Sequence, residues 1–209
     1  MKVLAIGAHF DDVEIGCGGV LMKHRDRGDD IHIIVVTHSG YESESKQFVR
    51  SRQQARREGE SSARLLKANL VCCGKEPLVL TPTEQLVLEL ESLVNSIKPD
   101  RIYTHQSTDC HADHAAVGYV STRACRKCDE VLLYRSNWYI MENSRDDNFY
   151  VDISEYIDKK MDLISLFESE MVTVNYSWLD FVKKQNGAAG AKVNVSYAET
   201  FNVMKLFWK

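Results

Sequence analysis

The chain has 209 residues, of which 44% are hydrophobic and 27% charged, and carries a net charge of −4. That composition belongs to a globular protein with one well-buried core and excludes a disordered chain; the basic residues are scattered among acids, which leaves no footprint for nucleic acid. No stretch approaches the ~20 apolar residues of a membrane span. The apolar start at residues 3–6 is too short for a signal peptide and runs at once into His9 and two acids, so a cytoplasmic protein is expected.

Residues 2–8 read as a short buried strand, and from Gly16 a helix runs through Leu21, Met22 and His24 to a stop at Gly28. The β-branched stretch 31–37 is the next strand. A β-α-β unit of this kind closes right-handed and makes its two strands parallel, with sites beyond their carboxyl ends. Residues 39–47 are polar and loop-like. Residues 48–67 read as a helix with an apolar edge at Ala55, Ala63 and Leu66 and its arginines mostly on a solvated face, although one near the start, Arg52 or Arg56, could reach an anionic or hydroxyl-rich ligand.

Residues 70–73 are a brief strand, and Thr81, Pro82 and Glu84 form a helix start with threonine as cap and glutamate closing a capping box. The stripe Leu86, Leu90, Leu93, Val94 and Ile97 follows. Strand 101–104 leads through a polar loop into a helix from about Asp113 to Arg126, and 131–134 and 149–151 are further strands. Asp152 and Glu155 suggest a second capping box, before a helix bearing Ile157, Met161, Ile164 and Phe167. The run Gly187-Ala188-Ala189-Gly190 reads as a flexible lid, and residues 193–201 as a return of Tyr197 and Glu199 toward the site. With no linker, repeat or low-complexity tract, residues 1–209 are expected to be a single α/β domain.

Two of these strands end in potential metal ligands: Ala8-His9-Phe10-Asp11-Asp12 after the first and His111-Ala112-Asp113-His114 after the strand at 101–104. A hydrolytic zinc site needs about three protein ligands, an open position and a base off the metal. His9 and Asp12 could ligate from one loop and His114 from the other. Asp11 would then face another side of its loop and take a proton from water, His111 could stabilise an oxyanion or protonate a leaving amine, and Asp113 could hold His111's other nitrogen. Plainer readings stand beside these: a hydrogen-bonded structural histidine, and aspartates that cap a helix. Gly16-Cys17-Gly18-Gly19-Val20-Leu21 lacks the last glycine of a dinucleotide fingerprint. Among the six cysteines, Cys125 and Cys128 have zinc spacing, but the adjacent Cys72-Cys73 is unsuited to complete a four-cysteine site; reduced thiols are expected, with Cys17 a small buried filler.

Residues 8–19, Ala8-His9-Phe10-Asp11-Asp12-Val13-Glu14-Ile15-Gly16-Cys17-Gly18-Gly19, match A-H-P-D-D-x-E-x-G-x-G-G at all positions but one. Thr104-His105 through Asp109, His111, Asp113, His114, Ala116 and Val117 match T-H-x-x-x-D-x-H-x-D-H-x-A-V. In these motifs, and more weakly at 149–154 and 197–201, the chain resembles the PIG-L/LmbE-like family of metal-dependent N-deacetylases, which includes the deacetylases of mycothiol and bacillithiol synthesis. The resemblance implies a single Rossmann-like, mostly parallel sheet flanked by helices, and Zn2+, with Fe2+ as the other metal to consider, on His9, Asp12 and His114. It implies Asp11 as general base, His111 with Asp113 at the oxyanion or leaving group, and Tyr197 as a second contact there.

The implied substrate is a small N-acetylated glucosamine conjugate, and homo-oligomers are common in the family. A metal-containing binding module of the same fold, without turnover, is the alternative. The departures from the family pattern are Phe10 for proline, Ala55 where an arginine is expected, and Phe167-Glu168-Ser169-Glu170 in place of H-x-S-Q.

Overall fold

In the computed structural model, which describes residues 1–42, 48–137 and 147–207, the opening apolar run is strand β1 (Lys2–Gly7), followed by α1 (Asp12–Asp26) and β2 (Asp30–Thr37). A short antiparallel pair, β3 (Tyr41–Glu42) and β4 (Phe48–Arg50), precedes α2 (Arg52–Leu66). Then come β5 (Asn69–Lys75), α3 (Glu84–Ile97), β6 (Arg101–His105), α4 (Ala112–Ala124) and β7 (Glu130–Tyr134). The remainder is β8 (Phe149–Asp152), α5 (Ile157–Ser165), α6 (Glu168–Thr173), α7 (Ser177–Ala191) and β9 (Ala198–Leu206).

Seven of the strands form one sheet in the order β5-β2-β1-β6-β7-β9-β8. The first five are parallel, and β9 runs antiparallel to both its neighbours. A strand that is apolar without alternation needs cover on both faces, and β1 has it. Val3 and Ala5 pack with Val13, Leu21 and Leu163 on one side, Leu4 and Ile6 with Leu90, Val94 and Val120 on the other. From β1 the chain builds outward through β2 to β5, then returns to β6 on the other side of β1. The order therefore reverses between β1 and β6, and a crevice opens beyond their carboxyl ends. Both histidine-aspartate clusters sit there.

Several local expectations are corrected. Ser51, whose hydroxyl accepts from the Gln54 amide, starts α2, and the residues before it belong to β4. Thr83, not Thr81, caps α3, its hydroxyl accepting from the Leu86 amide. Asp152 turns its carboxylate onto the amide and hydroxyl of Ser154, a local Asx turn rather than a capping box, and α5 begins only at Ile157. The Gly-Ala run expected as a lid is the last stretch of α7. A Cβ at Gly190 would stand 2.7 Å from the Val195 carbonyl oxygen, so the glycine serves close backbone approach, not flexibility.

Glu199 does not return to the site either. Helix α1 is broken at Cys17 (φ −146°, ψ 19°), and the two Glu199 oxygens take the amides of Gly19 and Val20 just past the break, at 2.8 and 2.7 Å. Amides that lose their helical partners need an acceptor when buried, and Glu199 is that acceptor, paired at 2.7 Å with the fully buried Lys160.

Candidate metal centre

The turn after β1 places His9 and Asp12 so that the His9 amide donates to Asp12 Oδ2 at 2.7 Å. From the β6 side, His114 on the first turn of α4 brings its Nε2 to 3.1 Å from Asp12 Oδ1 and 3.3 Å from His9 Nδ1. His9 Nδ1 stands 3.5 Å from Asp12 Oδ2. Ligands at 2.0–2.1 Å around a tetrahedral zinc are separated by roughly 3.3 Å, so His9 Nδ1, His114 Nε2 and the Asp12 carboxylate, with one oxygen toward each histidine, stand at spacings that fit one metal ion. His9, His111 and His114 also bring one ligand atom each within 4.8 Å of one another, as do Asp12, His105 and His114. No cysteine joins either set among the described residues.

The far nitrogens are supported as metal-bound imidazoles require. His9 Nε2 lies 2.8 Å from Asp113 Oδ2, and His114 Nδ1 lies 3.4 Å from Asp109 Oδ2. Ser136 donates to Asp12 Oδ1 at 2.8 Å. This corrects the expectation for Asp113: its carboxylate orients His9, and only its backbone amide meets His111, donating to Nδ1 at 3.2 Å. The same carboxylate accepts from the amides of Leu78 (2.6 Å) and Leu80 (3.2 Å) and so pins the segment after β5 over the site. Pro77 and Leu78, the latter at φ 66°, form that wall of the cavity.

Burial opposes charge on all three histidines of the cluster, but neighbours decide the outcome. Asp113 and Asp12 outweigh burial at His9 and lift it to about 9. Asp12 and Asp109 outweigh it at His114 and lift it to about 10. His111 has burial and the positive fields of His114 and His9 against it and falls to about 4. With Nδ1 accepting from the Asp113 amide, a neutral His111 carries its proton on Nε2 and is a donor at neutral pH. Burial would raise Asp12, but His114 and His105 hold it well below the usual carboxylate range.

Asp11 occupies the N-cap position of α1 without capping it: φ is 120° and the side chain makes no cap bond. Its carboxylate faces Arg50, with Oδ2 3.4 Å from Nη1. Burial holds the Asp11 carboxyl well above its ordinary value, and Arg50 offsets that only in part, against the further upward push of Asp12 and Glu170. The cavity in front of these groups has a volume of about 230 Å³, and Asp11, His111, Tyr41, Arg50, Glu170 and Trp178 are among its walls.

The two clusters thus meet, bringing His9, Asp11, Asp12, His111, Asp113 and His114 together. Tyr197 is not brought to them. It does not line the cavity, and its backbone is bound to Ser154 and Ile153 where β8 and β9 end. Arg52 and Arg56 point to solvent, pairing with Glu76 and Glu60. Sequence reasoning missed Arg50, expected on a solvated face and here 2% exposed. It also passed over Asp109, although that residue stands in the second motif, and Glu170, flagged only as a departure.

The PIG-L family, described as GlcNAc-PI de-N-acetylase, matches residues 4–125, more than half of the chain and both clusters. The chain belongs to this family. The uncharacterized deacetylase YaiS of Escherichia coli K12 is 29% identical over 166 residues, 73% of this chain and 86% of its own. The N,N'-diacetylchitobiose deacetylase of Pyrococcus horikoshii superposes with a TM-score of 0.84 at 22% identity, over 97% of this chain and 83% of that one. GalB, the 4-carboxy-2-hydroxymuconate hydratase of Pseudomonas putida KT2440, superposes with a TM-score of 0.73 at 16% identity, over 100% and 98%. At such identities these structures share the fold, and a hydratase among them means the fold alone does not choose the reaction. No helix among the described residues is long and apolar enough to cross a membrane.

Proposed function

We propose that this PIG-L family member is a metal-dependent hydrolase that releases acetate from an N-acetylated amino sugar or a conjugate of one. The observation that carries this reading is the spacing of His9 Nδ1, Asp12 and His114 Nε2, each 3.1 to 3.5 Å from the next, with the Asp11 carboxylate in the same cavity but tied to Arg50 instead. Those three residues would hold Zn2+, with Fe2+ as the alternative. A divalent ion there supplies Lewis acidity, polarising an amide carbonyl and acidifying a water.

The chain's own groups do the rest. Asp11, off the ligand set, accepts a proton from the attacking water and can return it to the departing amine nitrogen. His111, whose Nδ1 accepts from the Asp113 amide, donates from Nε2 to the oxygen on which charge develops. Asp113 and Asp109 fix the orientation of His9 and His114. A cavity of about 230 Å³ has room for one hexosamine ring, so a larger group on the substrate would extend beyond it.

The test is acetate release from a panel of N-acetylglucosamine, N,N'-diacetylchitobiose and N-acetylglucosamine conjugates, using protein loaded with one divalent metal per chain. Acetate that disappears on chelation and returns with metal is the expected result. A metal-loaded protein that releases none from any member of the panel overturns the hydrolase reading and favours a binding module.

A further inference from the structure

Phe10 stands where the family motif has proline, and the turn it belongs to must hold Asp11 at φ 120°, a conformation that costs a non-glycine residue energy. Proline would restrict the approach to that turn through its ring; phenylalanine does not. Two contacts take over. The Phe10 amide, which a proline would lack, donates to Ser39 Oγ at 2.8 Å. Its carbonyl oxygen accepts from Arg50 Nη1 at 3.1 Å.

The same Nη1 is 3.4 Å from Asp11 Oδ2, so one guanidinium nitrogen holds both the peptide entering the strained residue and the carboxylate leaving it. Arg50 is itself immobilised. It is 2% exposed, its Nη2 pairs with Glu58 at 3.0 Å, its Nη1 with Glu170 at 3.2 Å, and the guanidinium lies 5.8 Å from the centre of the Phe167 ring. Glu58 is locked in turn by the amide and hydroxyl of Ser169. Residues of β4, α2 and α6 thus converge on one cation aimed at the turn.

We propose that Arg50 is the positioning residue of this site: it clamps the Phe10–Asp11 turn and aims the Asp11 carboxylate into the cavity, the task a proline ring would otherwise share. This rests on Asp11 as the base, and the consequence is sharp. Arg50 is among the cavity walls, but its Nη atoms are spent on Phe10, Asp11, Glu170 and Glu58 and none bonds a metal ligand, so its loss disturbs proton transfer first and leaves metal and substrate binding largely intact. A guanidinium is required because Nη1 holds Phe10, Asp11 and Glu170 while Nη2 reaches Glu58; a lysine ammonium has one nitrogen and cannot span both sides.

Arg50→Lys, which keeps the buried charge and guards against misfolding, is expected to retain one metal per chain and a KM within about threefold while kcat falls about 10²-fold, the cost of an ångström-scale misplacement. Arg50→Ala should lose at least as much kcat, and free guanidinium should recover about tenfold of it; Asp11→Asn should not respond to guanidinium. In the metal-free protein, Arg50→Ala and Asp11→Asn should be coupled, the double variant melting higher than the sum of the two single losses predicts. Parental kcat in Arg50→Lys, a loss confined to KM or metal content, or additive melting losses would each overturn the proposal. If the parent releases no acetate at all, the functional reading fails instead, and the melting cycle still decides whether Arg50 clamps Asp11.

Discussion

Helix α1 is flanked by two buried cations with carboxylate partners, and they differ in one respect that separates scaffold from site. Lys160 meets Glu199 at 2.7 Å and Asn186 Oδ1 at 3.0 Å, and Glu199 spends its remaining capacity on the Gly19 and Val20 amides. Charges balance, both Glu199 oxygens are taken, and the group is sealed. Arg50 faces three carboxylates, those of Asp11, Glu58 and Glu170, and borders a cavity of about 230 Å³. Negative charge is in excess there, and Asp11 is held in place without being used up. A buried ion pair by itself says little about function; unspent polar capacity beside a cavity says more.

The largest effect that separates the two groups is on turnover. Asp11→Asn should keep one metal per chain and lose about 10²- to 10⁴-fold in kcat, the usual contribution of a general base. Activity near the parent's in that variant, measured as acetate release with metal content checked, would remove Asp11 from the mechanism. On the scaffold side, Lys160→Ala strands a buried Glu199 and should cost about 3–5 kcal/mol in denaturant unfolding, while the folded fraction turns over normally. A loss of kcat without loss of stability would place the Lys160 pair in the site after all.

A smaller effect separates the two through pH. Glu14, buried and hydrogen-bonded by the Ser62 hydroxyl, lies between the two groups, and burial lifts it from 4.5 to about 7. A carboxyl raised in the folded state binds its proton more tightly there than in the unfolded chain. Stability from this group is therefore complete below about 4.5 and is lost as pH rises through about 7. In Glu14→Gln, melting temperature should lose that part of its decline across the window, read against the parent; an unchanged profile would mean Glu14 is already ionised in the fold. Least of all, Tyr197→Phe should leave kcat within about twofold, as expected for a side chain outside the cavity, and a tenfold fall would return the tyrosine to the site.

The site was more legible than its surroundings. The strand-end clusters could be read because each is contiguous: strand, tight turn and helix start bring His9, Asp11 and Asp12, or His111, Asp113 and His114, into place by local geometry alone. Where a partner comes from far along the chain, spacing carries no signal. Asp113 was expected to serve His111 and serves His9 instead, and Arg50, read as one more charge on a solvated helix, lies just before that helix on β4 and is drawn inward by Glu58, Glu170 and Asp11. The Gly187–Gly190 run failed for a related reason, since composition records that glycine is permissive but not whether a neighbouring backbone presses on it.

By itself, then, the sequence determined the parallel α/β architecture and the two sets of chemical groups, because period, turn chemistry and contiguous motifs are local properties. Which carboxylate supports which histidine, which arginine is buried, and whether Tyr197 and Glu199 belong to the site or to the frame were decided only by the tertiary structure. Those choices depend on the sheet reversing between β1 and β6 and on the helices packing around α1, which set distances between residues a hundred or more positions apart.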